Sequence, residues 1–260
     1  MKIQYLSDIH LEIHSNAEYW TNHRLEPVGD ILVLAGDITK FTKEHLKNPF
    51  FERVSKDFEQ VFIVPGNHEY YNITDYSLLG KDSLEIELYP NVTIYNNRYI
   101  KYKGVNFIFT TLWSEIPQSH AKSVGNGMMC YRTIREMQDN EAIIITTQRV
   151  NELHQRDKYF LINALADLKE DKDPTIIVTH HLPSIHCVND EFKNSPLRHG
   201  FYSEQLDIIK HNKIDYWIYG HSHRNMPDLE IEGTKIVTNQ YGYLMRYEQD
   251  GFEENKIIQL

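Results

Sequence analysis

Cysteine and long apolar runs are scarce in this chain. Only two of its 260 residues are cysteine, Cys130 and Cys187, and neither has a partner at zinc-finger spacing. A membrane helix needs about 20 consecutive apolar residues, and a signal peptide needs an apolar stretch near the amino terminus. Neither is present in the sequence. We therefore expect reduced thiols, no membrane partner and a soluble, cytoplasmic protein.

Positive charge is also in short supply. The chain has 27 lysines and arginines against 37 aspartates and glutamates, which gives a net charge of -10. Proteins that hold long nucleic acids usually cluster lysine and arginine on one face, so such a substrate is disfavoured, although nuclease action stays an alternative. The hydrophobic content of 41% over this length favours one domain spanning residues 1–260.

Continuous apolar runs predict strands that are covered on both faces. These runs are residues 3–6, 31–35, 61–64, 176–179 and 216–219. Shorter β-branched or aromatic segments joined by turn residues favour a second, partly antiparallel sheet. Those segments are residues 92–95, 99–102, 105–111, 235–238 and 256–258.

Two segments between the strands have helical periodicity. The first has apolar positions between residues 50 and 58, with Asn48 as N-cap and Pro49 at the first helical position, and should end near Gln60. The second has apolar positions between residues 161 and 168 and should stop before Pro174. Two packed sheets with helices outside, an α/β sandwich, accommodate all these elements. The polar segments 114–140 and 184–203 are expected to be loops or short helices near the site.

Polar residues follow each of the five apolar runs. They are Asp8-Ile9-His10, Gly36-Asp37, Gly66-Asn67-His68-Glu69, His180-His181 and Gly220-His221-Ser222-His223, with a further candidate at Asn239-Gln240-Tyr241-Gly242. Each alone is weak, because Gly-Asp is ordinary turn chemistry. Ligands of α/β sheets collect beyond the carboxyl ends of strands, so together these groups predict one site. Carboxylate, amide and imidazole donors suit first-row metal ions, and a shared aspartate would offset the repulsion of two cations.

The ordered pattern Asp-x-His, Gly-Asp, Gly-Asn-His-Asp/Glu, His and Gly-His-x-His resembles the calcineurin-like metallophosphoesterase family. The resemblance covers residues 8–223. It implies a β-sandwich of two mixed sheets flanked by helices, with a dinuclear metal centre and a histidine acid. Carried over position by position, it implies that Asp8, His10 and His223 hold one metal, that Asn67, His180 and His221 hold the other, that Asp37 bridges both and that His68 is the catalytic acid.

The chemistry of such a centre is phosphoester hydrolysis. Two divalent ions would lower the pKa of a water molecule so that it attacks phosphorus as hydroxide, and His68 would protonate the leaving oxygen. Glu69 would either orient His68 or be an exposed acid, and His181 should support the site rather than bind metal. Manganese is the expected ion, although iron, zinc, cobalt and nickel accept the same nitrogen and oxygen donors.

Departures from the family pattern exclude several branches of the family. The run from Gly36 to Lys40 lacks the Asp-Arg of phosphoprotein phosphatases, and Lys40 occupies the tyrosine position of purple acid phosphatases. His68 stands where lipid A pathway pyrophosphatases have arginine. What remains is similar to small bacterial and phage metallophosphoesterases.

We expect a phosphodiesterase that acts on a small phosphoester or nucleotide. A diester has a poor alkoxide leaving group that gains most from a protonating histidine, and no arginine clamp for a monoester dianion is evident. The alternatives are a phosphomonoesterase or nucleotide pyrophosphohydrolase on the same site, and a non-catalytic scaffold, which the filled ligand positions disfavour.

Several other residues are candidates for lesser roles. Arg198, His199, Tyr70 and Asn239 are candidate substrate contacts, although ordinary loop roles are favoured for them. Trp113, Tyr70 and Tyr71 are candidates for stacking on a base, although aromatic residues near a site more often build its wall. The remaining histidines are expected at the surface, namely His14, His23, His45, His120, His154, His186 and His211.

Overall fold

The computed structural model describes residues 1–260. The strands, in chain order, are β1 Lys2–Leu6, β2 Ile31–Ala35, β3 Gln60–Val64, β4 Leu84–Tyr89, β5 Val92–Asn96, β6 Arg98–Tyr102, β7 Val105–Thr110, β8 Arg135–Gln138, β9 Glu141–Ile144, β10 Thr175–Thr179, β11 Tyr216–Tyr219, β12 Leu229–Ile231, β13 Thr234–Thr238 and β14 Ile257–Gln259. The helices are α1 His14–Asn22, α2 Pro49–Asp57, α3 Gln118–Gly127, α4 Cys130–Thr133, α5 Thr147–Asp167 and α6 Leu206–His211.

Two six-stranded sheets carry the fold, in the orders β14-β1-β2-β3-β5-β4 and β12-β13-β11-β10-β7-β6. Each has four parallel strands at its centre and an antiparallel strand at each edge. A separate hairpin joins β8 to β9. The two mixed sheets flanked by helices confirm the expected α/β sandwich.

Alternate residues of the central strands enter different cores. In β2, Ile31 and Val33 pack in the cluster between the sheets, whereas Leu32 and Leu34 pack under the helices. In β10, Ile177 likewise faces the helix side of the second sheet. Side chains of a strand alternate between its two faces, so a strand with apolar cover on both sides needs a continuous apolar run.

The predicted division of strands between the sheets was wrong. The runs at 176–179 and 216–219 belong to the second sheet, and the segments at 92–95 and 256–258 belong to the first. Both sheets are covered by helices outside and by each other inside. A continuous apolar run therefore reports that a strand is buried, but it does not report the sheet to which the strand belongs.

The two predicted helices are present with changed ends. Asn48 caps α2 through its side-chain oxygen, which accepts the backbone N–H of Phe50 at 2.9 Å. The helix ends at Asp57 rather than near Gln60, because Phe58 is already extended and Gln60 opens β3. Helix α5 buries the predicted apolar stripe and begins far earlier, at Thr147.

Some elements carry no strong periodicity in the sequence and were not predicted. They include α1, the β8–β9 hairpin and the short edge strand β12. The segment 114–140 holds α3 and α4 as well as β8, whereas 184–203 holds only short 3-10 turns. No helix of the structure combines the length and the apolar character that crossing a membrane requires.

Replacing the cap of α2 should weaken the fold measurably. Asn48→Ala leaves the N–H of Phe50 without its acceptor, so the free energy of unfolding should fall by about 1 kcal/mol. Asn48→Ser, which keeps a capping oxygen, should recover most of the loss. Urea denaturation followed by circular dichroism measures both, and equal stability of the two variants would show that the cap does not contribute.

Candidate metal centre

The seven residues expected to bind metal lie together where the parallel strands of both sheets end. Asp8 and His10 follow β1, Asp37 follows β2, and Asn67 follows β3. The second sheet contributes three histidines, His180 after β10 and the pair His221 and His223 after β11. All seven are buried except His223, whose side chain keeps 12% of its surface exposed.

The first group of donors surrounds one oxygen of Asp37. His10 Nε2 lies 2.9 Å from His223 Nε2 and 3.9 Å from Asp37 Oδ2. His223 Nε2 is 3.4 Å from Asp8 Oδ1. The donor atoms of these four residues lie within 4.8 Å of one another. Two nitrogens and two carboxylates at this spacing could hold a divalent ion.

The second group faces the other oxygen of the same carboxylate. His180 Nε2 lies 3.3 Å from Asp37 Oδ1, 3.2 Å from Asn67 Oδ1 and 3.1 Å from His221 Nδ1. Asp37 thus presents Oδ2 to the first group and Oδ1 to the second. This is the placement that a carboxylate shared by two cations requires.

The orientation of the four imidazoles fits metal binding. Metal-binding histidines usually donate the N–H of the remote ring nitrogen to a fixed acceptor, which leaves the other nitrogen for the ion. Each of the four rings has such an acceptor. The acceptors are Glu12 Oε1 for His10 (2.9 Å), Glu248 Oε2 for His223 (2.6 Å), Ala35 O for His180 (2.9 Å) and Gly200 O for His221 (3.2 Å).

Carboxylates without a cation hold protons on two of these rings. Burial opposes the charged imidazole of His180, but Asp37 and Asp8 outweigh that effect and raise its pKa to about 9. Burial likewise opposes the charged form of His223, and hydrogen bonds to Asp8 and Glu248 raise its pKa to about 10. A bound cation would replace both protons in balancing the charge of these carboxylates.

The backbone at the site is strained. Five of the seven residues have positive φ, between 48° and 80°: Asp8, His10, Asp37, His221 and His223. Non-glycine residues rarely adopt this region, and each costs of order 1–3 kcal/mol unless the surroundings hold it in place. The rest of the fold therefore holds these turns in a conformation that brings the candidate metal-binding side chains together.

Glycines beside these turns keep space for the donors. Gly36 has φ of +87°, and a Cβ there would overlap the ring of His180. A Cβ on Gly220 would lie 2.7 Å from Asp8 Oδ2. Glycine at these two positions therefore leaves the space that the donor side chains occupy.

Glu69 does not orient His68 and is not exposed, so both expectations for it were wrong. It is buried, and its carboxylate accepts backbone N–H groups of Asp37, Ile38, Thr39 and Gly66 at 2.7–3.4 Å. Glu69 therefore fixes the loop that carries Asp37 to the loop that carries Asn67. The sequence indicated that Glu69 belongs to the site, but only the structure shows which groups it contacts.

The partner of His68 is Glu12, which sequence reasoning missed. Glu12 Oε1 lies 2.8 Å from His68 Nδ1 and 2.9 Å from His10 Nδ1. Burial opposes ionisation of Glu12, but the hydrogen bonds to the two rings prevail and lower its pKa to about 2. His68 Nε2 then faces Asp37 Oδ2 at 4.0 Å and the Tyr243 hydroxyl at 3.2 Å. Glu12 follows Asp8-x-His10 by two residues, which is the one signal that could have identified it.

The candidate segment 239–242 does reach the site, through a different residue from the expected one. Gln240 Oε1 accepts the backbone N–H of His223 at 2.6 Å, and the N–H of Gly242 binds Asp8 O at 3.0 Å. Asn239 is occupied elsewhere, because its amide donates to Tyr5 O and Glu253 O. It is therefore a structural residue and not a substrate contact.

A cavity of about 370 Å³ opens at the centre, lined by Asp37, Asn67, His68, His221 and His223 among others. Of the expected substrate contacts, Tyr71 lines this cavity, whereas Tyr70 and Trp113 are buried in the core. Arg198 and His199 do not line it. Two arginines that sequence reasoning missed do so, Arg224 and Arg246.

The other histidines divide between surface and interior. His181 is buried, and its Nδ1 lies 3.3 Å from Thr111 O, which agrees with a supporting role. His154 was expected at the surface and is fully buried, because it lies on the inner face of α5 with Nδ1 against Trp113 O. The remaining six are exposed or half-buried.

Comparisons with known proteins agree with this geometry. A family model for calcineurin-like phosphoesterases matches residues 1–225. An uncharacterized protein of Acanthamoeba polyphaga mimivirus is 29% identical over 280 aligned positions, which cover 99% of this chain and 96% of the viral protein.

Two solved structures align over most of this chain. Phosphopantetheinyl hydrolase from Mycobacterium tuberculosis aligns with a TM-score of 0.70 at 16% identity, covering 100% of this chain and 95% of that one. A dimetal phosphatase from Danio rerio aligns with a TM-score of 0.49 at 13% identity, over 92% of this chain and 87% of that one. The first of these supports the fold alone.

Metal binding should release protons near neutral pH. In the metal-free protein His180 and His223 are protonated at pH 7.5, since their pKa values are about 9 and 10, and an ion that takes their nitrogens must displace those protons. Calorimetric titration with Mn²⁺ in two buffers of different ionisation enthalpy should therefore give different heats, and affinity should rise with pH up to about 10. Heats that do not depend on the buffer would contradict this prediction.

Proposed function

The chain belongs to the calcineurin-like phosphoesterase family, and from that membership we propose that it is a dinuclear-metal-dependent phosphodiesterase. Metal-dependent phosphoester hydrolysis is the reaction class of the family, and the buried aspartate and histidine groups suit it. The observation that carries the proposal is the carboxylate of Asp37, which faces a separate group of donors with each oxygen. His68 stands beside that carboxylate.

We propose that the two donor groups hold one divalent ion each. Asp8, His10 and His223 serve the first, Asn67, His180 and His221 serve the second, and Asp37 serves both. Manganese is our first choice, and iron, zinc, cobalt and nickel suit the same donors. When bound, the pair of ions supplies an activated water for attack and positive charge for the phosphoryl oxygens.

His68 is proposed as the catalytic acid. Glu12 accepts the Nδ1 proton, so the proton that His68 can transfer leaves from Nε2, the nitrogen that faces Asp37. The backbone N–H of His68 donates to Asp37 Oδ1 at 2.8 Å, which fixes the ring relative to the centre. The ring keeps 13% of its surface exposed and lines the cavity, so it can reach the leaving oxygen of a bound ester.

A diester is the proposed substrate because an alkoxide leaving group depends most on protonation by His68. No arginine clamp for a monoester dianion was evident in the sequence, but Arg224 and Arg246 line the cavity. Their charge favours the second candidate function, a phosphomonoesterase or nucleotide pyrophosphohydrolase on the same site, whose substrate carries more negative charge. The two functions share the metal-binding residues and differ in the ester that is cleaved.

Removing the acid should separate catalysis from metal binding. His68→Ala should keep two metal ions per chain and lower kcat by on the order of 10²–10⁴-fold, because only the proton donor is lost. Asp37→Asn should lose metal as well, since the shared carboxylate is gone. Metal analysis with turnover assays measures both, with the exposed His211→Ala as control. Equal metal loss in the His68 and Asp37 variants would contradict the assigned roles.

A pair of chromogenic esters tests the reaction type. We expect kcat/KM for bis-nitrophenyl phosphate to exceed that for nitrophenyl phosphate by at least about tenfold, which corresponds to about 1.4 kcal/mol. Both release nitrophenolate, so one absorbance assay on the manganese-loaded protein serves for both. A preference for the monoester would favour the second candidate function.

A further inference from the structure

The cavity beside the candidate metal centre is lined by apolar side chains as well as by the polar donors. The side chains of this apolar wall come from the segments 127–129 and 182–201, which enclose the space over the strand ends. A metal centre that only hydrolysed a compact phosphate would not need such a wall. The wall residues are Met128, Met129, Val188, Phe192, Leu197 and Phe201.

The two segments interlock through glycines. A Cβ on Gly127 would overlap the side chain of Leu197, and a Cβ on Gly200 would overlap that of Met128. Backbone hydrogen bonds join Leu182 to Phe201 at 3.1 Å and so tie the second segment to the end of β10. The wall is therefore built by two segments that pack against each other. Apolar side chains that face an open cavity in this way favour an apolar ligand.

Two guanidinium groups lie at the same cavity without a carboxylate partner. Neither Arg224 nor Arg246 forms an ion pair, although the chain has ten more acidic than basic residues. Glu248, an acid that lines the cavity, is bound by His223 Nδ1 and by the backbone N–H of Tyr243. Their charges are thus available to a ligand.

Packing directs both arginines along the cavity. The Arg224 guanidinium lies 5.3 Å from the centre of the Phe192 ring, and its Nη1 donates to His223 O at 2.9 Å. Arg246 lies 5.0 Å from the centre of the Tyr243 ring, whose hydroxyl contacts His68. Stacking on aromatic rings orders a guanidinium while its N–H groups remain free for an anion.

We propose that this cavity is a specificity subsite for a small phosphoester that carries an apolar arm and a second anionic group. The wall of segments 127–129 and 182–201 binds the arm, and Arg224 and Arg246 bind the second anion. The inference rests on the proposed function only in that the metal centre takes the scissile phosphoryl group. A cavity of about 370 Å³ accommodates one small organic substituent and no long polymer.

Binding of three stable phosphonates to the manganese-loaded protein tests the subsite. Methylphosphonate has no arm, hexylphosphonate has an apolar arm, and phosphonohexanoate has an arm that ends in a carboxylate. One methylene in an apolar pocket is worth about tenfold or more in discrimination. We therefore expect calorimetry to give a Kd for hexylphosphonate at least about tenfold below that for methylphosphonate, and a further fall of about tenfold for phosphonohexanoate.

Variants assign each part of the preference. Arg224→Gln combined with Arg246→Gln should bring phosphonohexanoate to the affinity of hexylphosphonate and leave the gain from the arm. Met129→Gln, at a side chain that is 50% exposed, should reduce the gain from the arm without unfolding the protein. The matched control is Arg98→Gln, which removes an exposed arginine from β6, away from the cavity.

The results separate this proposal from the proposed function. Equal affinities for methylphosphonate and hexylphosphonate would overturn the apolar subsite. Loss of the carboxylate preference in the Arg98→Gln control, or its persistence in the double arginine variant, would overturn the anion subsite. Turnover of bis-nitrophenyl phosphate with a flat phosphonate series would leave the proposed function standing alone. The expected phosphonate series without turnover of any ester would instead support the subsite and contradict the enzymatic proposal.

Discussion

The carboxylate of Asp37 is the constraint on which the arrangement of this protein depends. It lies at the end of β2, and its two oxygens face donor groups contributed by both sheets. A charged group that is fully buried must be paired, and here its partners are imidazoles and a backbone N–H. The second buried acid, Glu69, holds the loops on either side in register by accepting four backbone N–H groups. The sandwich positions the strand ends, and this network positions the carboxylate.

The backbone turns that form the site are strained, and the packed sheets hold them in place. Parallel strands β1, β2 and β11 end at the site, and residues just beyond each of them adopt positive φ. Apolar residues on both faces of these strands provide the stabilisation that offsets this cost. Function and fold are thus linked at the strand ends, where buried strands lead into strained turns.

Much of the centre was accessible from sequence because its chemistry is local. An apolar run precedes each of the motifs Asp8-x-His10, Gly36-Asp37 and Gly220-His221-Ser222-His223. Both the residue types and their place in the fold could therefore be predicted. The division of strands between the sheets was not, since burial on both faces is common to the two sheets. Glu12 and Glu248 reach His68 and His223 through contacts that span 56 and 25 residues, which no local pattern encodes. The surface position predicted for His154 was wrong because this polar side chain lies on the buried face of α5.

The interlock of Gly127 with Leu197 and of Gly200 with Met128 has a consequence for how this protein can diverge. A side chain at either glycine would displace the end of Leu197 or Met128, so a change in one loop alters the packing of the other. Exchange of both loops together would then change the organic group that the cavity accepts. The metal-binding residues at the strand ends would stay the same.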